Sequence, residues 1–212
     1  MWAYIKDNKI EQIYQRTKSL IIGEVRYPSN MFTKYTDAEK AAIGIYPVED
    51  TGTKGDDRFE YTSGPTYTWS ASDKKVTTSY TITEKSLVDV EQKDESGNNM
   101  LDEKGNKTYI YGLKTQAKNL AKKQANYYIK QFNWLVERSI YDSSKPIPDA
   151  VKTYVAAIKT DCTEIETAID SASDMTAFKA LYQDTFNSDG SVKEIARINR
   201  WSDDYDVQQY VR

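Results

Sequence analysis

The sequence predicts an α+β fold: an N-terminal small antiparallel β domain with one short helix over residues 1–110, then a C-terminal three-helix bundle with an aromatic tail over residues 111–212. Three observations carry that expectation. Val76-Thr77-Thr78-Ser79-Tyr80-Thr81-Ile82 alternates in steps of two and is rich in β-branched and aromatic residues. After Gly112 the period turns helical, with Ala117, Leu120, Ala121, Ala125, Tyr128, Phe132 and Leu135 recurring at steps of three and four. Ser143-Ser144-Lys145-Pro146-Ile147-Pro148 then interrupts the pattern, and two further amphipathic stretches follow it.

The elements follow in chain order. Trp2 to Tyr14 reads as a hairpin, because aromatic and β-branched residues flank Asp7-Asn8-Lys9, whose Asp and Asn tolerate tight-turn angles. Leu20 to Tyr27 reads as one extended piece ending at Pro28. Thr36 caps a short helix, Glu39 completes a capping box and Gly44 closes the turn. Ile45-Tyr46-Pro47-Val48 is extended, and a Gly/Thr/Asp loop runs from Asp50 to Asp57. Arg58 to Val90 is β, with Tyr67-Thr68-Trp69-Ser70 joined to the strand after it near Ser72-Asp73-Lys74.

Asp94-Glu95-Ser96-Gly97-Asn98 and Asp102-Glu103-Lys104-Gly105-Asn106 repeat at a spacing of eight. Each carries turn chemistry, with a glycine for positive φ. Neither continues into the ligand ladder and bidentate Glu of a calcium loop, so both are expected to be surface turns. In the helical half, Pro148 suits a first helical position and Asp149 the positive helix end. The second helix is expected to bury Val151, Tyr154, Val155, Ile158, Cys162, Ile165 and Ile169. Ser171-Ala172-Ser173 starts a third, with Met175, Phe178, Leu181 and Tyr182 on one face, which Asn187-Ser188-Asp189-Gly190 ends. Short connections favour antiparallel packing of the three. Val192 to Arg212 has no clear period and carries Trp201, Tyr205, Tyr210 and Val211 among polar residues.

Composition narrows the function. Hydrophobic residues are 39% and charged residues 29%, with a net charge of −3, which gives no basic field for nucleic acid. Mean hydropathy is −0.74, which implies a very polar surface. No apolar run nears the roughly 20 residues of a membrane span; the longest candidate, Leu20–Ile22, follows Arg16 and Lys18. Met1-Trp2-Ala3-Tyr4-Ile5-Lys6 lacks the pattern of a secretion signal, so synthesis in a cytoplasm is expected. One cysteine, Cys162, leaves no internal disulfide framework. The absence of histidine excludes Ser-His-Asp and Cys-His nucleophile systems and histidine-bound metals.

The remaining candidates have plain structural explanations. Cys162 lies on an apolar stripe and is expected in the core. Asp56-Asp57 and Asp203-Asp204 are expected to be solvated charges rather than catalytic pairs. Lys114, Lys118, Lys122, Lys123 and Lys130 occupy the polar side of an amphipathic helix. Seventeen tyrosines and four tryptophans are many for this length, and most of them are expected to pack a small, tyrosine-rich sheet, with docking surface as the other use. Tyr and Trp are also favoured at interfaces, so Trp201, Tyr205, Tyr210 and Val211 are the expected partner-docking residues.

Several phrases resemble small tail-associated and tail-fibre-assembly-like proteins of tailed bacteriophages. Trp2-Ala3-Tyr4-Ile5 with Lys9-Ile10-Glu11, then Tyr27-Pro28-Ser29-Asn30-Met31-Phe32 and Tyr35-Thr36-Asp37-Ala38-Glu39-Lys40-Ala41-Ala42-Ile43-Gly44-Ile45, are similar to their opening. Tyr67-Thr68-Trp69 and the two Asp-Glu-x-Gly-Asn phrases resemble their middle. Phe132-Asn133-Trp134-Leu135-Val136-Glu137-Arg138, Lys145-Pro146-Ile147-Pro148 and the helix Val151–Ile158 resemble their C-terminal pattern, except that Asn133 stands where an aspartate is usual and the following helix lacks the common arginines. The resemblance implies a virion component near the tail or fibres, working in several symmetric copies, or a non-virion fibre-assembly chaperone. It implies no active site and carries over no catalytic residue; no cofactor or metal is expected, and the charge and the short apolar runs give no expectation of a nucleic-acid or membrane partner. A glycan-binding module using Trp69 and its tyrosines is the other expectation.

Overall fold

The computed structural model describes residues 1–203 and 205–211; the side chain of Tyr205 lies outside the described part. The protein is mixed α and β, 35% helix and 27% strand, and it divides into two compact units, Met1–Thr83 and Glu84–Arg212. This division falls before the two Asp-Glu-x-Gly-Asn turns, whereas the change of period lies near residue 110.

In the first unit, β1 (Trp2–Lys6) and β2 (Lys9–Tyr14) form the expected hairpin. Asp7 and Asn8 both take positive φ, 48° and 61°, the mirror-image turn whose twist matches paired strands. β3 (Leu20–Ile22) and β4 (Val25–Tyr27) are a second hairpin, not one extended piece, because Gly23 at φ 62° reverses the chain. Two short helices follow instead of one. The first, α1 (Met31–Lys34), buries Met31 and Phe32; α2 (Asp37–Ala42) has the complete Thr36–Glu39 capping box. Lys40 is buried to 6% exposure, yet its ammonium pairs with Asp37 at 2.8 Å and lies 4.1 Å from the centre of the Trp2 ring. Both contacts offset its desolvation.

β5 (Ile45–Glu49), β6 (Glu60–Ser70) and β7 (Lys75–Glu84) complete a five-stranded sheet in the order β2-β1-β5-β7-β6. The sheet is not wholly antiparallel, since β5 and β7 run parallel through Val48↔Val76 and Glu49↔Thr77. The loop after β5 carries the chain two strand positions outward, to the sheet edge, before the β6–β7 turn brings β7 back beside β5. Asp50 holds that loop, accepting hydrogen bonds from the Thr78 hydroxyl at 2.6 Å and the Tyr80 hydroxyl at 3.2 Å. The edge strands β2 and β6 curl toward each other in a near-barrel, and the Trp69 indole donates to Asn8 at 2.8 Å. Ala3, Ile5, Val48 and Val76 pack on one side, and Tyr14, Leu20, Met31, Phe32 and Ile45 on the other.

In the second unit, a small two-stranded arm of β8 (Val90–Glu91) and β9 (Tyr109–Ile110) precedes α3 (Leu113–Lys130). The expected first helix is two, broken at Gln131–Phe132 before α4 (Asn133–Tyr141). α5 (Asp149–Ser171) and α6 (Met175–Ala180) follow, so the helices number four among the described residues, not three. α3 faces α5 with Ala117, Ala121 and Ala125, small side chains that allow close approach. α5 answers with Ile158, Ile165 and Ile169, each at 0% exposure, and Val155 is half-buried beside that stripe. Leu120, expected inside, is half exposed, because it lies at the margin of the helix face centred on Ala117, Ala121 and Ala125. Asn187 to Gly190 turns a hairpin of β10 (Thr185–Phe186) and β11 (Val192–Glu194), and two short 3-10 helices, Arg197–Asn199 and Tyr205–Tyr210, close the chain.

Candidate functional site

The arm is built from its two turn phrases. The Asp94 carboxylate accepts from the backbone N–H of Ser96 at 2.9 Å and of Asn98 at 2.8 Å; Asp102 does the same with Lys104 and Asn106. Gly97 and Gly105 take positive φ, and the spacing of eight places the turns in register. Three backbone bonds of 2.9 Å then close a ring at their base: Met100 N–H to Gln92, Thr108 N–H to Met100, and Gln92 N–H to Thr108. These inward-turned carboxylates already accept several donors, which is the surface-turn arrangement.

Their electrostatics gives a testable consequence. The Asn98 and Asn106 N–H groups, the largest influences, hold the Asp94 and Asp102 carboxyls below the ordinary carboxylate range. A lowered folded value means that the turns are stabilised above the unfolded pKa, and that this contribution disappears as pH falls through the folded one. Amide exchange at Asn98 and Asn106 is therefore expected to accelerate below about pH 4 relative to the α5 amides. Equal acceleration in both places would refute it.

The arm lacks a cover. Val90 lies opposite Ile110, with exposures of 47% and 56%, and Val88, in the bend just before β8, is 65% exposed. Residues 93–107 are exposed throughout. A two-stranded ribbon with an uncovered β-branched face is marginal by itself and suited to a partner.

The expected docking residues of the tail are largely engaged within the chain. Trp201 is half-buried against Tyr128, ring centres 5.5 Å apart, and Ser202 N–H donates to Asp161 at 2.7 Å. Val207 is 1% exposed, and the Trp134 indole donates to the Tyr210 carbonyl at 3.0 Å. Tyr210 and Val211 are half-buried, and Tyr205 begins the final 3-10 turn. A groove of about 340 Å³ lies between this strap and α5, lined by Ala150, Thr153, Ala157, Asp203 and Asp206 among others. Asp204 of the Asp203-Asp204 pair lies outside the described residues.

No family model, curated protein or solved structure matches the chain.

The other candidates resolve as contacts of the fold. Burial, and then Glu166, push the Cys162 thiol up, away from a nucleophile's thiolate. Lys114 donates to the Asp170 carbonyl, while Lys118 and Lys122 pair with Asp170 and Glu166, so this part of the lysine stripe ties α3 to α5. Asp56 accepts from the Arg58 guanidinium and backbone. Among the described residues no group of three or more His, Cys, Asp or Glu is placed to hold a metal ion, and no helix is long and apolar enough to cross a membrane. Trp69 is half-buried, with Tyr46 4.5 Å away between ring centres and its N–H on Asn8, which leaves it poorly disposed to stack on a sugar. The arm face was not singled out from sequence, although Val88-x-Val90 and Tyr109-Ile110-Tyr111, flanking two turns in register, carried its signal.

Proposed function

We propose that this protein is a structural adaptor of a tailed bacteriophage virion, at the tail or tail-fibre attachment region, that works by protein–protein docking and has no catalytic role. The observation that carries this reading is the uncovered apolar arm, a surface suited to a partner chain rather than to a reacting small molecule. The resemblance of the opening, middle and helical phrases to tail-associated proteins gives the setting. In this reading the β unit and the arm meet neighbours while the four-helix unit serves as a rigid body; the tail contributes what the half-buried Tyr210 and Val211 leave outside. Several symmetric copies would let modest single contacts add through avidity.

Mass spectrometry of purified particles tests the proposal. The chain is expected in the particle at a fixed stoichiometry. A chain abundant in the lysate and missing from particles would make it a fibre-assembly chaperone instead.

A further inference from the structure

We infer that the arm of one copy docks, head to tail, on the β3–β4 lobe of a second copy. The inference rests on the reading of this protein as an assembly component, and it names the two surfaces that meet. The first argument is shape and apolarity. Val90 and Ile110 are an exposed cross-strand pair with the exposed Val88 just before them, and Ile21 on the lobe is 72% exposed, opposite Arg26 in the β3–β4 register. The second is charge. Residues 88–111 hold six acids (Asp89, Glu91, Asp94, Glu95, Asp102, Glu103) and three lysines (Lys93, Lys104, Lys107), a net of −3. Residues 13–34 hold four basic residues (Arg16, Lys18, Arg26, Lys34) and one acid (Glu24), a net of +3.

The charge pattern also selects the geometry. Pairing arm with arm about a two-fold axis would set −3 against −3 at close range, which opposes association. Pairing arm with lobe joins unlike surfaces, and a heterologous contact of that kind propagates from copy to copy, into a ring where its rotation closes and a filament where it does not. Glu95 and Glu103 stand exposed at the two turns of the arm, whereas Asp94 and Asp102 are turned onto their own backbones. Glu95 and Glu103 are therefore the acids able to meet Arg16 and Lys18, which are exposed around a hollow of about 370 Å³ at the end of β2.

The test is light scattering on the purified full chain, at about 50 mM and about 500 mM salt, a range over which screening shortens severalfold. The expected result is an oligomer at low salt that moves toward the 24.3 kDa monomer at high salt. Glu95→Lys with Glu103→Lys should weaken self-association on the order of tenfold or more, as should Arg16→Glu with Lys18→Glu. Combining all four should restore it to within about threefold of the original, with helical content by circular dichroism unchanged throughout. A monomer at about 100 μM in low salt, well above the dissociation constants of specific complexes, overturns the inference. Reversals that leave the oligomer intact, or a combination that fails to recover it, also overturn it. A monomeric chain found in purified particles overturns the arm–lobe contact and keeps the adaptor reading; an oligomer with the expected rescue, absent from particles, supports the contact and removes the virion reading.

Discussion

A chain ending at Arg200 is expected to lose about 4 kcal/mol of stability in its helical unit. Val207, at 1% exposure, contributes about 1.5–2 kcal/mol by burial, and the packed Trp201 indole contributes a comparable or larger amount. Truncation also removes the Ser202 N–H from Asp161 and the Tyr210 carbonyl from the Trp134 indole, leaving polar atoms of the helices without those partners. Urea unfolding followed by amide exchange on α5 measures the loss, because Asp161 and the groove under Val207 report directly on that helix. An unchanged midpoint would mean that the strap adds nothing to its own unit. Trp201 and Tyr210 would then be better understood as anchors for another protein.

The local features of this fold were legible because their causes lie within a few residues. Asp7-Asn8 specifies a mirror-image turn, Thr36 with Glu39 a capped helix, and Asp94 and Asp102 a pair of side-chain-locked turns. The stripe from Val151 to Ile169 displays the buried face of α5 in its spacing alone. The parallel β5–β7 pair was not legible, because it depends on where the loop held by Asp50 delivers β6, a long-range outcome. Nor was the break between α3 and α4: no proline or glycine marks Gln131–Phe132, and Phe132 is buried against Tyr154. For the candidate site, the aromatic content of the tail was visible, but not that Tyr128, Trp134 and Asp161 would hold it. Such pairings join residues 41 to 76 positions apart in the two hydrogen bonds concerned, beyond the reach of periodicity.

Gly112→Ser gives the sharpest separation between local rules and three-dimensional fit. Gly112 is the N-cap of α3, and serine is ordinarily the better cap, by a few tenths of a kcal/mol. Its φ of −69° and ψ of 167° suit any residue, so backbone freedom does not require glycine here. Space does. A Cβ would stand 2.4 Å from both the carbonyl carbon and oxygen of Val88 and 2.7 Å from the carbonyl carbon of Leu87. Those atoms are backbone, and they are tied in place by Leu113 N–H to Ser86 at 2.9 Å, Lys114 N–H to Leu87 at 3.2 Å and Gly112 N–H to the Asp89 carboxylate at 2.8 Å. The expected outcome is therefore a loss of about 3 kcal/mol, opposite in sign to the capping rule, with faster amide exchange at Leu113 and Lys114. A serine variant as stable as the original would show that the segment before the arm is not held against α3. The same glycine also bears on assembly: the contact it permits fixes the root of Val88 and Val90, so loosening it should scatter the apolar face that the arm presents to its neighbour.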